Sequence, residues 1–200
     1  MPFLLTQGKY CDKISQKAVM ILGSIKTFSG IMFDPMAPQQ ENIHIRDIAH
    51  ALSMLCRANG HFKSFYSVGQ HCLNCAQEAA ARGYSLRVQL GCLLHDGSEA
   101  YVSDITRPVK QVLPMYLQIE EPLQAAIWDK WLTPALTQEE TRQIFEIDDD
   151  MLLHEFLVLM DTALADSIPP LKSRPRFDFI GFAQTEEAYL QKFEVLQKQL

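Results

Sequence analysis

Ionisable side chains interrupt apolar helical stripes at three places in this chain. They are His71 in YSVGQHCLNCAQ, the pair His95-Asp96 in LLHDGSEAYVSDITRPVK, and Asp161 in FLVLMDTALA. His71 shares a stripe with Val68, Cys75 and Ala79, and His95-Asp96 follow Leu90, Leu93 and Leu94. Asp161 stands four residues after Leu157. Burying a lone carboxylate on such a face costs several kcal/mol or forces its protonation. One polar exception on a core helix is ordinary; three on three helices call for a common partner. A divalent cation meets that need, because neutral imidazole nitrogens and carboxylate oxygens suit a first-row ion. Two carboxylates also neutralise its charge. His95 and Asp96 point about 100° apart on a helix. They can share an ion only at a seam between helices, with His71 and Asp161 closing from the sides. An octahedral ion would keep two positions open, one for water and one for a substrate oxygen, as metal-assisted hydrolysis requires. Asp166 and the run Asp148-Asp149-Asp150 compete with Asp161 for the fourth place, but the run reads as a helix N-terminus, where carboxylates suit the dipole. His154, seven residues before Asp161, reads as a core or surface histidine with a supporting role open to it.

The elements that must position these residues read as helices. Ile45, Ile48, Leu52 and Leu55 recur at helical spacing, predicting a helix over 45–58 that ends before Asn59-Gly60. Ser67 can cap the helix of His71, with Gly83 as its stop, and Ser85 can cap the helix that leads to His95. YLQIEEPLQAAIWDKWL is a further helix, with Pro122 at a new start or a kink. Thr137 with Glu140 forms a capping box for QEETRQIFEI, and a separate apolar helix is expected over 149–165. The last helix, 185–200, carries Tyr189, Phe193, Leu196 and Leu200 along one side, as core or as the seam of a homodimer. Ahead of these lie an N-terminal extension, residues 1–27, and an irregular lead-in with a short hairpin around IMFDP. Strand signals are otherwise almost absent, so the expected class is all-α, with one domain over 28–200.

Composition narrows the partners. The 200 residues are 48% hydrophobic with net charge -6, which describes a globular chain poorly suited to gripping long nucleic acid. No apolar run is long enough to span a bilayer, and the N-terminus lacks a secretory pattern. Five cysteines, an odd number, point to reduced thiols and a cytoplasmic setting. Cys72 and Cys75 form a CxxC, but no second pair exists for a zinc ribbon and no strand precedes them as a thioredoxin-like site requires; they read as small core residues. No phosphate-binding glycine pattern is present.

The pattern His71, His95-Asp96 and Asp161 resembles the metal signature of the HD-domain phosphohydrolases. Together, DIAHALSMLCRANGH, FYSVGQH and LLHDGSEAYVSDITRPVK resemble the branch of bacterial 5'-deoxynucleotidases and their phage or prophage relatives, over roughly residues 28–166. The resemblance implies a helical domain that hydrolyses a nucleoside 5'-monophosphate to nucleoside and phosphate. It implies one divalent ion on His71, His95, Asp96 and Asp161; manganese, iron, cobalt, nickel or zinc suit that set, and magnesium is less natural with two imidazoles. By position Glu99 matches the catalytic carboxylate, and Asp104 a second acid that assists water or the leaving group. Glu99, four residues after His95, shares its face if the helix continues. Arg57 matches a substrate-binding arginine and Lys110 another basic position, with Arg107 completing a cationic rim. The chain departs from the branch at Ala58, where an Arg-Trp pair can supply a ring against the sugar; preference for sugar and base is thereby open. His61 and Tyr66 are candidates to fill that space. A nucleotide triphosphohydrolase or a phosphodiesterase could use the same metal site, although the Gly-Tyr-Pro element of cyclic-dinucleotide enzymes is absent. So could a nucleotide-binding protein without catalysis that keeps the ion for structure; Glu99 and Asp104 argue against it.

Overall fold

A computed structural model describes residues 23–200 of the chain. The expected N-terminal extension therefore lies outside the described residues up to position 22. A two-stranded antiparallel hairpin follows, β1 (Ile25–Lys26) against β2 (Met32–Phe33), with Ile25 opposite Phe33. The segment IMF supplies its second strand and the turn lies earlier, over Thr27 to Gly30, where Gly30 takes φ +85°. That left-handed conformation costs glycine little.

All other regular structure among the described residues is helical, so the all-α class holds. Helix α1 (Ile45–Met54) buries Ile48, Ala49 and Leu52. It stops short of the expected Ala58. Leu55 turns extended, and the chain pairs instead with the segment entering the next helix: Val68 N–H donates to the Leu55 carbonyl at 2.9 Å and Arg57 N–H to that of Tyr66 at 3.0 Å. This cross-pairing satisfies backbone groups that a longer helix would have used, and it carries Arg57 toward the centre of the domain.

Helix α2 (Val68–Ala81) starts at Ser67, whose Oγ accepts the Gln70 N–H at 3.1 Å; α3 (Leu86–Leu94) starts at Ser85, whose Oγ accepts that of Val88 at 3.2 Å. Two short helices follow, α4 (Glu99–Val102) and α5 (Arg107–Lys110), then α6 (Pro114–Trp131), which runs through Pro122. Helix α7 (Gln138–Met160) begins at the capping box of Thr137 and Glu140, with bonds of 3.1 and 2.8 Å. It is one continuous helix where two were expected, and it ends at Met160 rather than at 165. Asp148-Asp149-Asp150 thus sits inside a helix and not at its start.

Helices α2 and α3 pack on each other and α7 covers both; α8 (Phe182–Gln199) crosses α1, α2 and α3. Tyr189, Phe193 and Leu196 of α8 are core residues, whereas Leu200 is exposed. The Tyr189 hydroxyl donates to the Leu93 carbonyl, anchoring the end of α3 just before His95. No helix among the described residues is long and apolar enough to cross a membrane.

Candidate metal centre

The first turn of α2, the C-terminal end of α3 and the middle of α7 meet at one buried point. His71, one turn into α2, is fully buried, and His95 caps the C-terminal end of α3 with Asp96 beside it. The two Nε2 atoms face each other at 3.1 Å. Asp96 Oδ2 lies 3.3 Å from His95 Nε2 and 3.7 Å from His71 Nε2.

Asp161 is not there, and the expectation that it supplies the fourth donor is corrected. It takes a left-handed conformation (φ 50°, ψ 35°) as the C-cap of α7, is three-quarters exposed, and pairs with Lys63. Asp148, thirteen residues and therefore about 20 Å earlier along the helix axis, occupies the place. Its Oδ1 stands 3.1 Å from His71 Nε2 and 3.6 Å from His95 Nε2. Asp166 is exposed. His154 donates through Nε2 to the Pro169 carbonyl at 2.7 Å on the surface, apart from the cluster.

The tautomers follow from what each Nδ1 faces. His95 Nδ1 lies 2.7 Å from the Cys92 carbonyl oxygen, which can only accept, so Nδ1 carries the hydrogen. His71 Nδ1 lies 2.6 Å from Glu155 Oε1, a fully buried carboxylate whose pKa burial would raise but which Arg57 and His71 together hold below its ordinary value. With both Nδ1 atoms donating outward, both Nε2 atoms turn lone pairs inward, toward two carboxylates. Such outward bonds orient metal-ligating histidines generally. Metal bonds of about 2.1 Å place neighbouring donors about 3.0 Å apart on an octahedron and about 3.4 Å apart on a tetrahedron. The observed separations of 3.1 to 3.7 Å fit that size.

Electrostatics lead to the same need. Burial is the largest influence on both imidazoles and disfavours their charge, and Arg57 adds to this at His71; the surrounding carboxylates still push both pKa values up. Asp148 is driven well below the usual carboxylate range by the two histidines, although burial opposes it. The site thus attracts positive charge. Protons are a poor way to supply it, because two imidazolium hydrogens would meet between nitrogens 3.1 Å apart. A cation supplies the charge without that clash. His71, Cys75 and His95, or Cys72, His95 and Asp96, are also close enough to hold an ion. Burial pushes the Cys72 thiol up to about 11 and that of Cys75 well above its ordinary value, so an already ionised Asp148 is the better donor.

A cavity of about 440 Å³ opens beside Asp96 and Asp148. Glu99, Asp104, Arg57 and Lys110 line its polar side. Helix α3 ends at Leu94, so Glu99 does not sit on a continuation of it; a tight turn carries it there, its N–H donating to the Asp96 carbonyl at 3.0 Å. Glu99 is buried, and its Oε2 has no hydrogen-bond partner. Burial, then repulsion from Asp96 and Asp104, pushes its pKa well above the ordinary carboxylate value. Asp104 is raised as well, first by burial, with Asp96 adding to it and Arg57 opposing.

Arg57, expected to bind substrate, is engaged within the cluster itself. Its Nε donates to Glu155 Oε2 at 3.1 Å and its Nη1 to Asp96 Oδ2 at 3.2 Å, tying the support of one histidine to a neighbouring ligand. Lys110 Nζ donates to Glu120 Oε1 at 2.7 Å and stands 3.9 Å from Glu99 Oε1. Arg107 is exposed at the rim and donates to Asp149 at 2.8 Å. Tyr66 is buried behind the cavity, its hydroxyl accepting from Asn74, and His61 is exposed; Phe62 lines the space beside Ala58 instead. Asp148 and Glu155 are the residues a reading of spacing misplaces or misses. Their signal is a seven-residue interval on one uninterrupted helix, which puts both on one face with Met151 between them.

No protein-family model matches the chain. It is similar to YfdR, an uncharacterized protein of Escherichia coli, with 41% identity over 110 residues that cover 55% of this chain and 59% of that protein. It is also similar to an uncharacterized protein of Rhodobacter capsulatus, with 32% identity over 130 residues, 62% of this chain and 66% of the relative. The chain therefore spans less than two thirds of either relative's length.

Proposed function

We propose that this protein is a metal-dependent phosphohydrolase that releases inorganic phosphate from nucleoside 5'-monophosphates. His71, His95, Asp96 and Asp148 would hold one divalent ion, with manganese, iron, cobalt, nickel or zinc better suited than magnesium to two imidazoles. When bound, such an ion supplies a Lewis acid toward a phosphate oxygen and acidifies a water. The chain's own residues account for the remaining tasks. Glu99, its pKa raised by burial and by the nearby Asp96 and Asp104 carboxylates, is the acid placed to give a proton to the departing sugar oxygen. Asp104, across the same cavity, orients water. Lys110 and Arg107 bring positive charge to the rim, and Arg57 keeps Asp96 and Glu155 in register. The free thiols Cys56, Cys72, Cys75 and Cys92 accord with a reducing, cytoplasmic setting.

One observation carries this reading: two imidazoles, each with its Nδ1 committed outward, turn their Nε2 lone pairs toward two carboxylates at the edge of a cavity lined by Glu99, whose Oε2 has no hydrogen-bond partner. The test is a panel of nucleoside mono- and triphosphates and cyclic nucleotides. It is run on protein stripped with EDTA and reloaded with manganese, cobalt, nickel, zinc or magnesium. Inorganic phosphate should appear from monophosphates, vanish with EDTA and return with metal. Release of pyrophosphate or triphosphate instead, or turnover indifferent to metal, overturns the proposal.

A further inference from the structure

Helix α6 contributes no side chain to the lining of the cavity, yet it is bonded to the segments that do. The bonds come from Tyr116, Glu120 and Gln124, which recur every four positions and so share one side of the helix. Gln124 brackets His95 and Asp96. Its Nε2 donates to the Leu94 carbonyl at 2.8 Å and its Oε1 accepts the Ser98 N–H at 3.0 Å. A carbonyl only accepts and an N–H only donates, so these partners fix the orientation of the amide. Gly97, inside the bracketed turn, admits the close approach of α6: a Cβ there would stand 3.3 Å from two carbons of Ile127. Tyr116 and Glu120 hold the stretch that follows. Ser103 takes φ 73° and ψ 157°, a conformation that a residue other than glycine keeps only where its surroundings impose it. The Tyr116 hydroxyl donates at 2.7 Å to the Ser103 carbonyl, which belongs to the peptide leading into Asp104. Glu120 Oε1 accepts Lys110 Nζ at 2.7 Å, and that ammonium stands 5.4 Å from the centroid of the Tyr116 ring.

We infer that this row is a positioning device with two separable halves: Gln124 sets His95 and Asp96 toward the ion, and Tyr116 with Glu120 sets Asp104 and Lys110 toward the substrate. This rests on the reading of the adjoining centre as a metal-dependent phosphohydrolase. The halves separate because they hold different backbone. Without the amide of Gln124 the turn between Leu94 and Ser98 loses a bond on each side of the two metal-binding residues. Loss of an outer partner of a metal ligand weakens binding by about 10- to 100-fold. Without the Tyr116 hydroxyl the turn of His95 and Asp96 keeps its bonds to Gln124, and the peptide before Asp104 loses its anchor. Misplacing a group at a reacting centre by about 1 Å costs about 100-fold in rate. Tyr116, Glu120 and Gln124 are thus positioning residues, each acting through a group of the site.

The test uses full-length protein stripped with EDTA and reloaded with manganese. Chelator competition gives the manganese Kd, which needs no turnover. Phosphate release from adenosine 5'-monophosphate at saturating manganese gives kcat and KM, and thermal unfolding of the metal-free proteins reports folding. Gln124→Met keeps an unbranched side chain and removes the amide; it should raise the manganese Kd by about 10- to 100-fold. Tyr116→Phe should leave that Kd at the parent value and lower kcat by up to about 100-fold. Gln124→Ala and Tyr116→Leu make the same deletions and serve if the first variants fail to fold. A role in stability alone would lower the metal-free Tm and leave manganese Kd and kcat of the folded variants unmoved. That result overturns the inference. So does a Tyr116 variant that loses manganese along with rate, as general loosening would produce. Phosphate release by the parent with both variants at parent values sinks the row and leaves hydrolysis intact. If the parent binds manganese and releases no phosphate, the hydrolytic reading falls together with the Tyr116 half, and the manganese Kd of the Gln124 variants decides the other half.

Discussion

Asp148→Asn is the substitution that most directly separates the proposed ligand set, whose donors converge in the structure, from the one expected from spacing. It keeps the shape of the side chain but removes the negative charge 3.1 Å from His71 Nε2. Changing even an outer partner of a metal ligand weakens binding by about 10- to 100-fold, so loss of a charged inner donor should reach at least the upper figure. At a metal concentration about 100 times its Kd, the parent gains about 2.7 kcal/mol of stability. In a domain of this size that raises Tm by about 5–11 °C. A hundredfold weaker variant at the same concentration sits near its Kd and gains only about 0.4 kcal/mol, a shift of about 1–2 °C. The assay is thermal unfolding of chelator-stripped protein with and without added metal, together with metal content after dialysis. Asp161→Asn is the internal control. Its carboxylate is largely exposed on the C-cap of α7, so the full metal-induced shift should persist. If Asp148→Asn keeps the parent's shift, or Asp161→Asn loses it, the ligand set argued above is wrong.

Three further outcomes follow from the same geometry. Glu155→Gln should lower metal affinity by about 10- to 100-fold without removing a ligand, read by chelator competition, because the amide cannot accept from both His71 Nδ1 and Arg57 Nε as the carboxylate does. Glu78 accepts the N–H groups of Lys172 and Ser173 at 3.0 and 2.8 Å and Arg82 Nε at 2.8 Å, and these bonds lower its pKa although burial, the largest effect, raises it. A carboxylate depressed on folding stabilises above its unfolded pKa of about 4.3. Glu78→Gln should therefore cost about 1–3 kcal/mol in urea unfolding at pH 7, and the gap from the parent should narrow as pH falls through the folded pKa. Gly69→Ala should destabilise by about 1–3 kcal/mol in the same assay, since its new Cβ would lie 3.2 Å from the Leu52 carbonyl carbon and oxygen and from the Ser53 nitrogen, backbone atoms of α1 that cannot rotate away.

The parts legible in the sequence were those with a local cause. Ser67, Ser85 and the Thr137-Glu140 box mark helix starts because their side chains bond backbone groups three residues on, and all three do so. His71 and His95-Asp96 stood out because polar groups interrupt apolar stripes, and they do share one point. The fourth donor was misplaced because the same rule was applied to an incorrect helix. Three consecutive aspartates before an apolar run look like an N-terminus, but Ile144, Ile147 and Met151 bury one stripe straight past them. Within that triplet Asp149 is exposed, while Asp148 is turned inward. The end of α1 was equally hidden. Leu55 fits the helical period, and what stops the helix is pairing with Tyr66 and Val68, a contact outside the local window.

The outward hydrogen bonds of the two imidazoles also have a thermodynamic consequence. An entering ion and acid compete for one pair of electron lobes on His71 and His95, so metal loading and hydrogen-ion release are two sides of one exchange. Uptake of the ion should then acidify a weakly buffered solution, and its heat should scale with the ionisation enthalpy of the buffer used.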